Sequence, residues 1–159
     1  MLLRRPPTHY FLVRGHAEGY MELNAFDAAL LDAGIGNTNL IKMSSILPPG
    51  CQPTEPLEIP PGSMVPVAYA AITCSVPGEI ISAGVAVAVP DDPEKPGLIM
   101  EYSAYGRSDI VEEIVVRMAE EGMKVRGFSV REIRRSVVEH KVVNKGAAFA
   151  AVVLWEKGR

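Results

Sequence analysis

The segment NLIKMSSILPP, residues 39–49, is the stretch from which the rest of the chain is best interpreted. Its first four residues are typical of a β-strand, which then runs into two adjacent hydroxyl side chains, Ser44 and Ser45. Pro48 and Pro49 stiffen the exit, and Pro48 also biases Leu47 towards an extended backbone. Strands more often end in glycine, asparagine or aspartate, so this boundary is unusual and invites a chemical explanation.

An adjacent serine pair permits the chain to cut its own peptide bond. The hydroxyl of Ser45 can reach the carbonyl of Ser44 through a five-membered ring and convert the amide into an ester. β-Elimination of that ester cuts the chain and leaves a dehydroalanine at position 45, which hydrolyses to a pyruvoyl group. Serine pairs also occur in ordinary solvated turns, so the neighbouring motifs must decide between these two interpretations.

Composition indicates one globular domain with no special affinity for polyanions. The chain has 159 residues, 48% of them hydrophobic and 22% charged, and its net charge is −3. That length and balance suit a single domain with a real core, and the charge gives no general attraction to nucleic acid or anionic membranes. No apolar run reaches the ~18 residues that span a bilayer, and residues 1–7 are too short and proline-rich for a signal peptide. We therefore expect a cytoplasmic protein.

Residue types that bind metals are sparse and scattered. Cys51 and Cys74 are not in metal-ligand spacing, which favours reduced, structural thiols. His9 and His16 do not form a ligand set with any neighbouring motif. His140, beside Glu139, is either a proton shuttle or a structural histidine with a satisfied bond, and the second interpretation is favoured. The sequence therefore predicts no metal site.

Two helices and about seven strands are predicted along the chain. Asn24 is predicted to cap a helix that ends near Ala33, with Gly34 as its stop, and Ser108 to cap one that ends near Met123. The apolar stripe of the first helix is Leu23, Phe26, Leu30 and Leu31, and that of the second is Ile110, Val111, Ile114, Val115 and Met118. Loops are predicted at 16–20 and 48–63, and strands, besides the serine segment, at 10–14, 64–74, 79–89, 98–104, 131–143 and 146–155.

The strand predicted at 79–89 gives the clearest indication of architecture. Both of its faces are non-polar, one with small and one with branched side chains, which is typical of a central strand covered on both sides. Strands and helices in this order favour an α+β fold, with packed sheets faced by helices in the order helix, sheet, sheet, helix.

Further motifs follow in order along the chain: LNAFD (23–27), AGIGN (33–37), MVP (64–66), VPGE (76–79), GLIMEY (97–102), VEH (138–140) and AAFAA (147–151). Together with the serine segment, and over residues 10–155, they resemble the pyruvoyl-dependent arginine decarboxylases. The resemblance implies self-cleavage between Ser44 and Ser45, giving a β chain of residues 1–44 and an α chain of residues 45–159 that begins with the pyruvoyl group.

The resemblance also implies a fold, an assembly and a reaction. It implies a single αββα sandwich domain, assembled as trimers of cleaved protomers with active sites between neighbouring subunits. The reaction converts L-arginine to agmatine and carbon dioxide, an entry to polyamine biosynthesis. The substrate amine would form a Schiff base with the pyruvoyl group at position 45, whose amide carbonyl acts as the electron sink, so neither a metal nor pyridoxal phosphate is expected.

Site residues follow from the matching motif positions. Glu101 is the expected proton donor, because a lone carboxyl between Met100 and Tyr102 on an apolar strand should lose solvent and stay protonated. Asp27 is the expected partner of the substrate guanidinium, whose planar fork matches a carboxylate. Asn39 is a further catalytic candidate: its amide could position the Ser44 carbonyl or the substrate carboxylate, and the family's asparagine at this position is linked to processing. Gly36 and Thr38 are expected to contribute backbone contacts to the substrate pocket.

Other functions remain open at this point. The same chemistry on another amino acid is one alternative, although Asp27 favours a cationic substrate. A non-catalytic sandwich whose Ser44–Ser45 bond is never cut, serving as a binding or regulatory subunit, is another. A hydrolase with either serine as nucleophile is weaker, because no Gly-x-Ser-x-Gly elbow surrounds the pair.

Overall fold

The computed structural model describes residues 5–157. Over that range the chain forms two helices and nine strands, two of which are only two residues long. The helices are α1 (Glu22–Asp32) and α2 (Ser108–Arg126). The strands are β1 (His9–Glu18), β2 (Asn39–Lys42), β3 (Ile46–Leu47), β4 (Gln52–Pro53), β5 (Met64–Cys74), β6 (Ile80–Pro90), β7 (Gly97–Tyr105), β8 (Val130–Lys141) and β9 (Gly146–Trp155).

The strands form two sheets. The five-stranded sheet has the order β2-β5-β9-β1-β4, in which β9 pairs antiparallel with β1 and β5, while β2 and β4 add parallel edges. The four-stranded sheet has the order β3-β7-β6-β8 and is antiparallel throughout. Residues 81–88 of β6 are buried between β7 and β8, so the prediction of a covered central strand is confirmed, as is the α+β class.

Apolar side chains collect in three clusters. One cluster joins the facing sides of the two sheets and includes Val85 of β6 and Val152 of β9. A second lies between α1 and the five-stranded sheet, and a third lies between α2 and the four-stranded sheet. Each helix therefore packs against one sheet. Neither helix of residues 5–157 is long and apolar enough to cross a membrane.

Helix α1 turns a different face to its sheet from the one predicted. Ala25, Ala29 and Leu30 are buried, whereas Leu23 is 76% exposed. The reason is the closeness of β1: a Cβ on Gly15 would lie 2.1 Å from the carbonyl oxygen of Ala29. Only small side chains fit where the two backbones approach so closely, so alanines face the sheet and two of the predicted core leucines point outwards.

Helix α2 is likewise rotated by about one position from the predicted stripe. Val111, Val115, Ala119 and Met123 are buried at a spacing of four residues, while Ile110 is 51% exposed. The helix ends at Gly127, which adopts φ +72°, the left-handed conformation that glycine accommodates without strain.

Helix starts and two loops also differ from the prediction, since β4 (Gln52–Pro53) pairs with β1 inside the predicted loop 48–63. Met21 rather than Asn24 is the N-cap of α1, and the Asn24 side chain instead accepts a hydrogen bond from the Met21 backbone N–H at 3.2 Å. Arg107 precedes α2, so Ser108 is its first helical residue. Strand β1 continues to Glu18 through most of the predicted loop 16–20, because β9 pairs with it along its full length.

Candidate active site

The Ser44–Ser45 peptide lies where the chain crosses from one sheet to the other. On one side, the Met43 N–H donates to the Val67 carbonyl of the five-stranded sheet at 2.8 Å. On the other, the Ile99 N–H of the four-stranded sheet donates to the Ser45 carbonyl at 2.7 Å. The backbone bends at Ser45, which is half-buried, whereas Ser44 is exposed. The peptide bond between the serines is thus held at both ends and belongs to neither sheet.

Strand β7, which binds the Ser45 carbonyl, also carries Glu101. Side chains on a strand alternate between its faces, so Ile99, Glu101 and Ser103 share one side. Ile99 belongs to the cluster between the sheets, and the Ser103 hydroxyl donates to the Ala71 carbonyl of β5 at 3.3 Å. Glu101 therefore faces the five-stranded sheet, near the edge where the serine segment crosses.

The sequence suggested that the Glu101 carboxyl is isolated among apolar groups. In the structure it is not. Its side chain is 28% exposed, and the Lys42 ammonium lies 3.3 Å from Oε1. The other oxygen, Oε2, is buried and has no hydrogen-bond partner within the described part of the chain. Lys42 also lies over the ring of Tyr69, with 4.7 Å between Nζ and the ring centroid.

Lys42 was not among the site residues predicted from the sequence. One signal pointed to it: Lys42 is the only charged residue in the segment 39–49 that leads into and out of the serine pair. Its partner Glu101 lies on a distant strand, so nothing in the local pattern connected the two residues.

The loop before β2 uses its polar groups internally. The Asn39 side-chain amide donates to the Gly62 carbonyl at 3.1 Å, and the Asn39 N–H donates to the Ser63 carbonyl at 2.8 Å. The Thr38 hydroxyl donates to the Ile35 carbonyl at 2.7 Å. A Cβ on Gly36 would lie 2.6 Å from the Leu31 side chain, so only glycine fits there. The roles predicted for Asn39, Gly36 and Thr38 remain predictions.

Asp27 lies on α1 and is exposed. Within one protomer and over residues 5–157, no hydrogen bond or ion pair joins its carboxylate to Glu101 or to the serine segment. It shares one helix face with Leu23 and Leu31, which stand one turn before and after it and are also exposed. The structure therefore places Ser45, Glu101 and Lys42 along one edge, while Asp27 is exposed on α1 and makes no bond to any of them within the described residues.

A second polar cluster surrounds His140 between the sheets. The His140 ring is buried, and its Nε2 lies 2.5 Å from Glu18 Oε2. Its Nδ1 lies 2.8 Å from Nδ1 of His16. Partial burial alone would raise the pKa of Glu18, but hydrogen bonds from His140 and the Asn144 N–H bring that pKa below its usual range. Within the described residues no group of three His, Cys, Asp or Glu side chains is arranged to hold a metal ion.

The serine segment fits a cofactor made from its own residue 45. A pyruvoyl group would retain the carbonyl of that residue, so the hydrogen bond from the Ile99 N–H and the pairing of β3 with β7 would continue to hold it. The unpartnered oxygen of Glu101, carried by the same strand, offers a buried polar atom on that side.

Comparison with known proteins assigns the chain to a family. The profile of the pyruvoyl-dependent arginine decarboxylases (PvlArgDC) matches residues 9–157. A pyruvoyl-dependent arginine decarboxylase of Methanococcus aeolicus is 48% identical over 153 residues, covering 96% of this chain and 93% of that protein. A protein of the same name from Methanocaldococcus jannaschii is 47% identical, over 95% of this chain and 92% of its own length. One from Thermococcus sibiricus is 42% identical, over 93% of this chain and 95% of its own length.

A solved structure of a pyruvoyl-dependent histidine decarboxylase at pH 8 is also similar. Its TM-score is 0.51 at 14% identity, over 59% of this chain and 51% of that one, a likeness that concerns the fold alone. The family match and the identities over almost the whole length carry the assignment: the chain belongs to the pyruvoyl-dependent arginine decarboxylase family.

Proposed function

We propose that this protein is a self-processing decarboxylase that converts L-arginine to agmatine and carbon dioxide, for polyamine biosynthesis. Family membership and relatives of that name over nearly the full length support the reaction and its covalent pyruvoyl group. The observation that carries the proposal in the structure is the Ser44–Ser45 bond, which is anchored on both sides at the crossing between the sheets, beside the strand that bears Glu101.

Processing would use only the serine pair. Among residues 5–157, neither serine hydroxyl is engaged in a hydrogen bond, so the Ser45 hydroxyl is free to attack the Ser44 carbonyl. The amide nitrogen takes up the proton as the ester forms. Elimination then removes the Cα proton of residue 45 and breaks the bond between Cβ and the ester oxygen, so a Cα=Cβ double bond forms and the Ser44 carboxylate leaves. Ser44 becomes the carboxyl end of a β chain of residues 1–44, and hydrolysis releases ammonia and leaves the pyruvoyl group on an α chain of residues 45–159.

Decarboxylation would use the side chains that face the cut. The pyruvoyl group supplies a ketone that condenses with the substrate amine and an adjacent carbonyl that accepts electron density. The Ile99 N–H holds that carbonyl oxygen in place and favours negative charge on it. Glu101 delivers a proton to the substrate α-carbon after carbon dioxide has left. Replacement by glutamine keeps the shape of Glu101 but removes this proton, so Glu101→Gln is expected to cleave normally and to make almost no agmatine.

The substrate guanidinium would bind Asp27 of a neighbouring subunit. Within one protomer and over residues 5–157, Asp27 makes no bond to Glu101, and it lies on an α1 face whose leucines are exposed. Packing of a second protomer on this face would bury the leucines and bring the carboxylate to the partner's cut. This arrangement agrees with the trimer and the inter-subunit sites implied by the family resemblance.

The remaining assignments belong to the same proposal. The hydrogen bond from the Asn39 side-chain amide to the Gly62 carbonyl fixes the start of β2 and so supports processing at Ser44, five residues later. Gly36 and Thr38 shape the substrate pocket. Three separate apolar clusters support a four-layer helix–sheet–sheet–helix sandwich. A cytoplasmic location is part of the same expectation.

A denaturing gel with intact-mass analysis tests the processing claim. Two chains, the larger beginning with a pyruvoyl-blocked residue 45, are expected, and arginine should then yield agmatine. One stable full-length chain retaining both serines would refute the processing claim and favour a non-catalytic subunit. Cleavage without agmatine, but with the amine of another amino acid, would correct the substrate and leave the chemistry standing.

Mixed subunits test the inter-subunit site. Asp27→Ala and Glu101→Gln are each expected to be inactive alone. If Asp27 serves the neighbour's site, coexpression of the two variants rebuilds some complete sites and restores part of the activity. If both residues serve the same protomer, every site in the mixture lacks one of them, and no activity returns.

A further inference from the structure

We propose that Lys42 is a positioning residue that assigns different roles to the two oxygens of Glu101. The proposal rests on the proposed function of Glu101 as proton donor and adds which oxygen carries the proton and why. It starts from an asymmetry in the structure: the ammonium of Lys42 lies 3.3 Å from Oε1, whereas Oε2 is buried without a partner in the described chain.

The position of the Lys42 ammonium is set by more than the carboxyl. Nζ lies 4.7 Å from the centroid of the Tyr69 ring, within the range in which a cation is attracted to an aromatic face. Tyr69 in turn contacts the rings of Phe26 and Phe149, with centroid separations of 6.4 Å and 5.4 Å. Tyr69 is thus a fixed platform, which limits where the flexible lysine side chain can place its charge.

The chemistry of the two groups then determines the position of the proton. An ammonium has three donors and no acceptor, so the oxygen that faces it must act as an acceptor. In a protonated carboxyl only one oxygen carries hydrogen. With Lys42 donating to Oε1, that oxygen acts as the acceptor and the proton is on Oε2. No other group of the described chain bonds to Oε2.

The same contact supports the step in which the proton leaves. When the O–H bond at Oε2 breaks and a C–H bond forms at the substrate α-carbon, the negative charge stays on the Glu101 carboxylate. The ammonium at Oε1 lies directly beside that new charge and stabilises it. Lys42 thus orients the donor before the transfer and stabilises it afterwards, without contacting the substrate.

The location of the lysine connects this role to processing. Lys42 lies two residues before Ser44, on the β-chain side of the proposed cut, whereas Glu101 lies on the α-chain side. The contact between Lys42 and Glu101 therefore joins the two proposed chains next to their new ends. A lysine at this place has two other uses, in cleavage itself or in binding the substrate carboxylate, and the experiment below separates all three.

The test compares Lys42→Met with Lys42→Arg and with the control Lys124→Met. Lys124 is a matched control because its ammonium lies 3.4 Å from Glu121 Oε1 on the solvent face of α2. We expect Lys42→Met to cleave normally, to lose about tenfold or more in kcat, and to keep KM within about twofold. Lys42→Arg should recover most of the lost kcat, since it restores a donor-only cation, and Lys124→Met should match the parent.

A second readout does not require the active enzyme. In the uncleaved Ser45→Ala background, glutamate is labelled with ¹³C at the δ-carbon, and the Glu101 signal is assigned by its loss in Glu101→Gln. Lys42→Met should move that signal, because a charge next to Oε1 is removed, and Lys124→Met should not.

Three results would overturn the proposal. Unchanged kcat in Lys42→Met would remove the positioning role, a raised KM at parental kcat would assign Lys42 to the substrate, and failure to cleave would assign it to processing. If the parent protein makes no agmatine, the proposed function fails instead. The carbon signal then still decides whether Lys42 holds Glu101, and an unmoved signal would refute that contact.

Discussion

Replacing Glu18 by glutamine is expected to destabilise the fold at neutral pH and to lose that effect in acid. Glu18 lies at the end of β1, and its carboxylate accepts three hydrogen bonds: from His140 Nε2, from the Asn144 N–H at 2.7 Å and from the Lys145 N–H at 3.0 Å. These bonds tie the five-stranded sheet to the end of the four-stranded one. Glutamine keeps the shape of the side chain, removes its charge and replaces one acceptor oxygen by an NH2 donor.

The magnitude follows from the three bonds and the exposure of the carboxylate. A hydrogen bond with an ionised partner contributes about 1.5–3 kcal/mol, against about 1 kcal/mol for a neutral one. Neutralising the acceptor of three such bonds would therefore cost roughly 1.5–6 kcal/mol if they were fully buried. Because the side chain is 31% exposed, water screens part of this, and we expect about 1–2 kcal/mol.

The dependence on pH follows from the direction of the pKa shift. The pKa of Glu18 is lowered in the folded protein from an ordinary value of 4.5. A lowered folded pKa means that the stabilisation is fully present above pH 4.5 and is lost as the pH falls through the folded value. The rings of His140 and His16, which lie beside Glu18, are present in both proteins. The Asp32 carboxylate, which accepts the His16 backbone N–H, remains in both proteins.

The assay is the thermal midpoint, measured in the uncleaved Ser45→Ala background so that one covalent chain unfolds. For a chain of this length about 1–2 kcal/mol corresponds to a fall of roughly 2–8 °C. That deficit should persist from pH 7 to pH 5 and shrink below pH 4.5. Glu58→Gln is the control, since Glu58 is exposed and unpaired within the described residues. An equal deficit at pH 7 and pH 3.5 would refute the electrostatic reasoning and assign the loss to packing.

Three further outcomes follow from the fold. Glu139→Gln should destabilise the fold by at most about 1 kcal/mol at pH 7, because the Ser108 N–H and hydroxyl at the start of α2 lower the pKa of Glu139. This loss of stability should also vanish as the pH falls below the ordinary glutamate range, and a loss that stays the same in acid would contradict the electrostatic cause. Met123→Ala should cost about 2–5 kcal/mol in denaturant unfolding, since Met123 is fully buried, while exposed Val125→Ala should cost almost nothing. After processing, both chains should coelute in native gel filtration and separate only in denaturant.

Local pattern was sufficient to predict the long strands β5 and β6. Residues 64–74 form β5 with the predicted bounds, and residues 79–89 correspond to the buried β6 within one residue. Apolar runs bounded by turn residues define such strands without reference to any other part of the chain. The serine pair was likewise visible in the sequence as a candidate for self-cleavage, because the proposed chemistry needs only adjacent residues; its cleavage stays a prediction.

Features that depend on distant residues were not predictable in this way. The buried face of α1 is set by Gly15 on β1, whose missing side chain lets the helix backbone approach. The Lys42–Glu101 pair depends on β2 and β7 meeting at the crossing between the sheets. Periodicity along one element contains no information about which neighbour approaches it, so the helix faces and the environment of the expected donor required the structure.

The topology would let this fold lose the peptide bond between Ser44 and Ser45, as proposed, without losing its architecture. Strand β1 of the proposed β chain is an internal strand, paired with β9 over ten residues. Tyr10, Phe11 and Val13 on that strand are buried, and each buried side chain of this size contributes about 1.5–3 kcal/mol. The β chain is therefore held by its place inside a sheet and does not depend on the bond that is cut.

The hydrogen bonds around the cut lead to the same conclusion. The last bond of the β chain, from the Met43 N–H, stays within the five-stranded sheet, and the first bond of the α chain, to the Ser45 carbonyl, stays within the four-stranded sheet. Cutting between them leaves both bonds intact, yet frees the Ser44 end to move away from residue 45. A serine pair placed inside either sheet would have to break paired backbone groups to react, so the crossing is the one place in this segment where cleavage opens a site without disrupting a strand.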